Sequence, residues 1–581
     1  MSWQGWLQIL IYVAVLTALT PLLGGYMARV YMGRRVALER VLGPVERGFY
    51  RAVRTDPARE QDWKQYGRTV LVFSALFWLL LYAILRLQGG LPFNPLRFGG
   101  APWNVTFNTT SSFVTNTNWQ YYGGETTMSF FSQMAGLAVQ NFVSAAVGMA
   151  VLAAVIRGFA RRETTTLGNF WVDLTRSLLY ILLPLSVVGT LLLVSQGVVQ
   201  SFTGSVQLTT LHGFEQVLAL GPVASQIAIK QLGTNGGGFF NVNSAFPFEN
   251  ASTFANFLEL LFILLIPAAA TYQYGRMIGR PRQGWALYVA MLLMLVIGLG
   301  NAYDQEARAT PALTAAGVRI TADGGNLQDK EQRFGVANSA LWSTATTAAS
   351  NGSVNAAQES FSGFGGMTPL VNMMTGEVIF GGVGSGLYGM LLVVLLTVFL
   401  AGLMVGRTPE YLGKKLQARE VKLVAIGTLY MPVVVLVAAA LAIATPAGKQ
   451  SIDDAGPQGF SETVYAYTSQ TNNNGSAFAG YTGFVQPNAP GNQGATGVPF
   501  ADLVGGLCML LGRFIPLLAA LAVAGSLAAK RPAPAGPGTF RTDSPVFLVL
   551  LVGVVVIVAA LSFLPALALG PIVQGLTHQL F

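Results

Sequence analysis

Charge is what this chain has least of. Of 581 residues only 10% are Asp, Glu, Lys or Arg, while 52% are hydrophobic and the mean hydropathy is +0.52. A globular domain carries roughly 25% charged residues, so an ordinary soluble protein is excluded. One cysteine, Cys508, excludes an internal disulfide, and two histidines, His212 and His578, are too few for a typical zinc site. There is no G-x-x-x-x-G-K-[ST] phosphate loop and no Asp-Lys-Thr-Gly phosphorylation motif. The connections on the basic side reach no more than about 40 residues, too few for a nucleotide domain. This chain therefore binds no nucleotide and hydrolyses no ATP; uphill transport would need a second polypeptide. Met1-Ser-Trp-Gln-Gly-Trp6 lacks a basic n-region and the first arginine, Arg29, follows the first apolar run, so that run is not a cleavable signal.

Long apolar runs are what the chain has instead. Ten of them lie near residues 4–28, 69–89, 131–160, 177–199, 254–274, 283–303, 374–405, 421–445, 500–528 and 545–569. About 20 apolar residues cross a bilayer as a helix, which predicts a polytopic all-α membrane protein with ten spans. A β-barrel would show short alternating segments, not Val546-Phe-Leu-Val-Leu-Leu-Val552. The net charge of +9 does not point to nucleic acid, because 25 of the 34 Lys and Arg residues fall in 29–68, 157–176, 276–282, 407–422 and 530–541, all alternate connections. By the positive-inside rule those connections are cytoplasmic and both termini are outside. Membrane lipid headgroups or a cytoplasmic partner are secondary uses of the same basic residues.

The four long outward connections, 90–130, 200–253, 304–373 and 446–499, each carry one Asn-rich turn. They read Val114-Thr115-Asn116-Thr117-Asn118, Gly233-Thr234-Asn235-Gly236-Gly237, Ala349-Ser350-Asn351-Gly352-Ser353 and Asn473-Asn474-Gly475-Ser476. Aligned on the residue after an asparagine (Thr117, Gly236, Gly352, Gly475), the spacings are 119, 116 and 123 residues. So regular a period predicts internal repetition. Each turn follows a stretch too short to span: 107–114, 221–232, 336–349 and 462–470. Each unit is then an entering helix, a re-entrant half-helix, a turn and a leaving helix. Four such units in parallel orientation surround a pseudo-fourfold axis along the membrane normal, with one extra helix at each end. The predicted boundaries are 1–65 for the first helix and basic loop, then 66–165, 166–280, 281–415 and 416–530 for the repeats, and 531–581 for the last helix.

Irregular backbone at membrane depth survives only where it lines a cavity or is buried in protein. Four equivalent turns around an axis would aim main-chain carbonyls at one point, where they can replace the hydration shell of a monovalent cation. Glycine keeps side chains off the axis and permits left-handed backbone. The half-helices would direct their negative C-terminal ends toward the ion, and the asparagines could brace the turns from behind.

Gly384-Ser-Gly386-Leu-Tyr-Gly389 matches G-x-G-x-x-G, but it lies in an apolar run without the preceding strand or following acid of a dinucleotide site. Five glycines within 381–389 predict an unwound break in the inner helix of the third unit, with helix-packing glycines as the alternative. Glu377 is an intramembrane carboxylate, functional by default, or else an interfacial one. Arg513 either faces the pore beneath the turns or snorkels to the surface.

"FVTNTNWQYYGGETT", "GPVASQIAIKQLGTNGGGFFNVNS", "FGGVGSGLYGM", "AGLMVGRTPEYLGKK", "NNNGSAFAG" and "FLPALALGP" resemble the KdpA family, potassium-binding subunits of bacterial potassium-transporting P-type ATPases. The resemblance covers essentially the whole chain. It implies a potassium-channel-like fold in the bacterial inner membrane, K⁺ selectivity, and assembly with the ATP-hydrolysing KdpB, with KdpC and often KdpF. It implies K⁺ as the bound ion at Thr115, Asn116 and Thr117; Thr234, Asn235 and Gly236; Ser350, Asn351 and Gly352; and Asn473, Asn474 and Gly475. Gln120 is implied to tune affinity, and Gly382, Gly384 and Gly386 to belong to a gating loop. Arg407, with Lys414 and Lys415, is a topology signal first and a contact to the catalytic subunit second. Two departures stand out: Thr117 where the other turns have glycine, and Asn351 where some relatives carry a smaller residue. The rival readings are a stand-alone four-repeat K⁺ uptake protein and, more distantly, a secondary solute transporter, which would show inverted repeats. A membrane enzyme is disfavoured, since no nucleophile–base pair or metal cluster is legible.

Overall fold

The computed structural model describes residues 1–308, 317, 325–404, 406, 408–483, 499–533 and 540–577. Ten of its helices are long and apolar enough to cross a membrane. The first is α1 (Trp3–Tyr31), followed by a shorter amphipathic helix, α2 (Glu39–Ala52). The first unit is α3 (Trp63–Leu87), the half-helix α4 (Trp103–Val114) and α5 (Ser132–Ala160). The second is α6 (Phe170–Ser195), half-helix α7 (Val223–Leu232) and α8 (Thr253–Met277). The third is α9 (Pro281–Glu306), half-helix α10 (Gly335–Ala348), α11 (Gly363–Met374) and α12 (Ser385–Met404). The fourth is α13 (Ala418–Ala444), half-helix α14 (Gly456–Asn472) and α15 (Pro499–Ala528), and α16 (Pro545–Thr577) closes the chain.

Local chemistry sets the helix ends. Asp62 and Gln65 form a reciprocal capping box at the start of α3, the Ser252 and Ser544 side chains cap α8 and α16, and Pro281 opens α9. The apolar run 374–405, expected as one helix, begins where α11 ends at Met374 and holds a single helix, α12. Residues 375–384 between α11 and α12 are not helical, so the glycine-rich break is present.

Contacts between connections sort them into two faces. Arg161 pairs with Glu60 at 2.6 Å, the Lys414 ammonium donates to the Gly158 carbonyl at 2.9 Å, and that of Lys530 to Lys415 at 2.6 Å. The Tyr274 and Tyr411 hydroxyls meet at 2.7 Å, and the Gln283 amide donates to Thr542 at 2.7 Å. All five basic connections are thus gathered on one side. The four half-helix connections join one another on the other side, in cyclic order. The Asn241 amide donates to Glu125, Arg333 to the Asn250 carbonyl, the Gly480 amide to Glu359 and Gln470 to the Tyr121 hydroxyl. The first helix lies along α8, where a Cβ at Gly24 would overlap the Ala269 carbonyl, and Tyr12 donates to the Leu260 carbonyl at 3.0 Å. Four units close into a ring, with α1 and α16 outside it.

Candidate functional site

Each half-helix ends where its turn begins. The chain leaves the helix through a left-handed residue: Asn116 (φ 71°), Thr234 (φ 48°), Ser350 (φ 53°) and Asn473 (φ 60°). The amide of the next residue reaches back five positions to the half-helix: Thr117 to Ser112, Asn235 to Lys230, Asn351 to Thr346 and Asn474 to Ser469, at 2.8 to 3.0 Å. A second left-handed residue follows: Asn118 (φ 56°), Gly236 (φ 83°), Gly352 (φ 90°) and Gly475 (φ 100°). Its amide also turns outward, from Asn118 and Gly236 to the carbonyls of Ser112 and Lys230, and from Gly352 and Gly475 to the hydroxyls of Thr346 and Ser469.

These bonds fix the register and correct the spacing argument for the first repeat. Asn118, not Thr117, is the counterpart of Gly236, Gly352 and Gly475, and Thr117 is the counterpart of Asn235, Asn351 and Asn474. Thr115 is the counterpart of Gly233, still at the helix end. The physical reason is that the first turn has no glycine, so its two positive-φ positions fall on two asparagines, which tolerate that region better than threonine.

The turns touch around a circle. A Cβ at Gly236 would overlap the Asn351 carbonyl, one at Gly352 the Asn474 carbonyl, and one at Gly475 the Thr117 carbonyl. Side chains brace the ring as well. Asn116 donates to the Thr234 carbonyl at 2.8 Å, Ser350 to Asn473 at 2.8 Å, and Asn473 to the Thr117 hydroxyl at 2.9 Å. Asn351 reaches Lys230 and Gln231 behind it, and Asn474 the Thr346 carbonyl at 3.0 Å.

With the amides tied to the half-helices, the carbonyls of Thr117, Asn118, Asn235, Gly236, Asn351, Gly352, Asn474 and Gly475 accept from no donor among the described residues. All but Gly475 belong to buried residues. An unsatisfied buried acceptor costs about 1–3 kcal/mol, so two acceptors in each of four turns form an assembly that a cation would stabilise. The half-helix C-termini add partial negative charge at the same place.

Above the ring is a cavity of about 520 Å³, lined among others by Asn118, Gln120, Gly236, Gly352, Gly475 and Gln358. Gln120 closes it on one side, accepting from the Gly238 amide at 3.0 Å and donating to the same residue's carbonyl at 3.3 Å. Below the ring, the 375–384 loop folds against the turns. The Val383 amide donates to the Thr234 hydroxyl at 2.9 Å, and Gly382 packs against Ser350. Gly384 sits on the Gly148 carbonyl and Gly386 on Gly381, with no room for a Cβ at either. Glu377 is 3% exposed and accepts from Asn474 at 2.7 Å; among the described residues its other oxygen has no hydrogen-bond donor within bonding geometry. Arg513 is 4% exposed and donates to the Ser144 carbonyl at 3.0 Å. The interfacial placement of Glu377 and the snorkelling of Arg513 are therefore both set aside. Next to them, a cavity of about 90 Å³ lies between α12, α13, α15 and α16. Arg407 lies outside the described residues.

A family model described as KdpA, potassium-transporting ATPase A subunit, matches residues 10–576. The chain belongs to the KdpA family. A relative from Rhodospirillum centenum is 57% identical over 577 residues, 99% of this chain and 98% of its own length. Others from Brucella anthropi, at 52% over 99% of both chains, and Pseudomonas aeruginosa, at 53% over 98% of both, are equally similar end to end. All three are named potassium-transporting ATPase potassium-binding subunits. Among solved structures, the potassium transporter TrkH from Vibrio parahaemolyticus is similar at 15% identity and a TM-score of 0.48, covering 88% of this chain and 96% of that one.

For this KdpA-family chain, sequence reasoning missed the residues that hold the turns from outside. Ser112, Lys230, Thr346 and Ser469 anchor their amides, and Lys230 itself makes a fully buried ion pair with Glu249 at 2.6 Å. Of these four only Lys230 carried a signal, as the one charge in the stretch 221–232. The register yields a prediction for ion-stimulated ATPase activity of the assembled complex. Asn118→Gly should hold the half-saturating K⁺ concentration within about threefold, since glycine fills that place in three turns, a change under roughly 0.7 kcal/mol. Thr117→Gly should weaken it further, because the Thr117 hydroxyl holds Asn473 and meets Thr115 at 2.8 Å.

Proposed function

We propose that this chain takes K⁺ from outside the cell, selects it in the ring of four turns, and hands it on inside an ATP-driven import complex of the bacterial inner membrane. The observation that carries the proposal is the set of carbonyls with no donor among the described residues, two per turn and seven of the eight on buried residues, arranged in a closed cycle. The coordinating residues are Asn116, Thr117 and Asn118 in the first turn. In the others they are Thr234, Asn235 and Gly236; Ser350, Asn351 and Gly352; and Asn473, Asn474 and Gly475. Replacing water by a fixed set of carbonyl oxygens favours the ion whose hydration shell they match. The half-helix ends supply the field that favours a cation there. Gln120 holds the outer mouth in shape through both of its bonds to Gly238.

The loop carrying Gly382, Gly384 and Gly386, with Glu377 and Arg513 beside it, closes the straight path below the ring. That favours a hand-over coupled to a partner over free conduction. The energy comes from a separate ATP-hydrolysing subunit, KdpB, with KdpC and KdpF completing the assembly. Termini outside and basic face inside follow from the clustering of Lys and Arg on one side. The testing experiment is ATPase activity of the co-purified complex in K⁺, Rb⁺ and Na⁺. Stimulation by K⁺ well above that by Na⁺ is expected; equal stimulation, or none, would overturn the proposal.

A further inference from the structure

Three carboxylates, one from repeat three and two from repeat four, meet on the side of the half-helix connections. Glu359 follows the third turn, Asp454 precedes α14, and Glu462 lies on the first turns of α14. One oxygen from each lies within 4.8 Å of the other two. Glu462 is fully buried, and among the described residues neither of its oxygens has a hydrogen-bond donor. Among the described residues, none of the three takes part in an ion pair. Two other buried acids near the turns contrast with this: Glu249 has Lys230, and Glu306 has Lys330 at 3.0 Å. Glu359 is held by the Gly480 amide, which donates to both of its oxygens at 2.8 and 2.9 Å.

We propose that Glu359, Asp454 and Glu462 form a site for a hard divalent cation, of the Ca²⁺ or Mg²⁺ kind, separate from the ring and facing the outer compartment. All three donors are carboxylate oxygens, the ligands these ions prefer, and oxygens so spaced fit around an ion with bonds of roughly 2.0–2.6 Å. Three acids exceed what a monovalent ion neutralises. Glu359 and Asp454 are half-exposed, leaving a route for entry and room for water ligands. Bound here, the cation ties the segment after the third turn to the start of α14 and, through Gly480, to the segment after the fourth turn. The Asp453 amide donates to the Gly480 carbonyl at 3.1 Å, and Tyr465, one turn of α14 beyond Glu462, bonds Ser476 beside the fourth turn at 2.8 Å. The cation would therefore steady the outer mouth between repeats three and four, whatever ion the ring takes.

The test uses the full chain purified in detergent, stripped with EDTA and melted at constant K⁺ against added CaCl₂ or MgCl₂. Extracellular calcium modules half-saturate at about 0.1–1 mM, and a rise in melting temperature saturating in that range is expected for one of the two ions. In Glu462→Gln the shift should vanish, while the metal-free variant melts no lower than the metal-free parent, because one of three crowded charges is gone. Asp454→Asn, on the half-exposed ligand, should weaken the shift without affecting folding. No shift with either ion up to about 10 mM would overturn the proposal and leave a proton-sharing carboxyl cluster. An equal shift in Glu462→Gln would overturn it as well. Neither outcome touches K⁺ selection, which ATPase activity reads separately.

Discussion

Gly236→Asp should raise the half-saturating K⁺ concentration of the complex's ATPase by at least about 100-fold and let Na⁺ stimulate it. Three effects add at this position. Its φ of 83° costs a side chain about 1–2 kcal/mol. A Cβ would overlap the Asn351 carbonyl and crowd the Ser353 amide, so the neighbouring turn has to move. The new carboxylate then offers a flexible charged ligand where fixed carbonyls stood, and a flexible ligand accommodates a smaller ion. Together these exceed the roughly 2.7 kcal/mol that a 100-fold loss requires. Assembly should survive, since the ring lies inside one unit cluster and not on its outer surface. Gly213→Asp is the control: its φ is 81°, but it sits in an exposed hairpin turn with nothing within 4 Å, and K⁺ dependence should stay as in the parent. A parent-like K⁺ response in Gly236→Asp would remove the ring from the selection step.

Lys230→Met should act on folding more than on selectivity. The Lys230 and Glu249 side chains are both fully buried, and Asn243 also accepts from the ammonium at 3.0 Å. Removing the cation leaves a buried carboxylate uncompensated, at a cost of about 3–5 kcal/mol, a large part of the roughly 5–15 kcal/mol that holds a domain together. Monodisperse protein recovered from membranes should fall several-fold and its melting temperature drop by several degrees. Adding Glu249→Gln should recover most of both, since the amide oxygen still accepts from the Phe240 amide at 3.0 Å and carries no charge. Failure of that rescue would mean that Lys230 acts through the ion path and not through its partner.

How much of this was readable beforehand differs from part to part. The ten spans and the two faces follow from apolar run length and Lys/Arg placement, which are local and dominated by the membrane. The second and third half-helices match the expected stretches within two residues, while the first and fourth extend further at their N-termini, α4 from Trp103 and α14 from Gly456, because polar residues there are buried. The register of the first turn was misread because Thr115-Asn116 imitates Thr234-Asn235. The reliable signal was the pair of asparagines two apart, each able to stand at a positive φ. The break at 375–384 was legible from glycine density. What Glu377 and Arg513 touch was not, since both contacts are made across more than 90 residues of sequence. The third member of the cluster was invisible for the same reason: Asp454 and Glu462 are neighbours at the start of α14, but only the closing of repeat four onto repeat three brings Glu359 to them.

The most direct measurement is anomalous diffraction from crystals of the complex grown in Rb⁺ in place of K⁺. The ring predicts a Rb⁺ peak on the pseudo-fourfold axis, within coordination distance of carbonyls from all four turns, and its loss in Gly236→Asp. A peak away from that axis, or none between the turns at a concentration that supports ATPase activity, would contradict it.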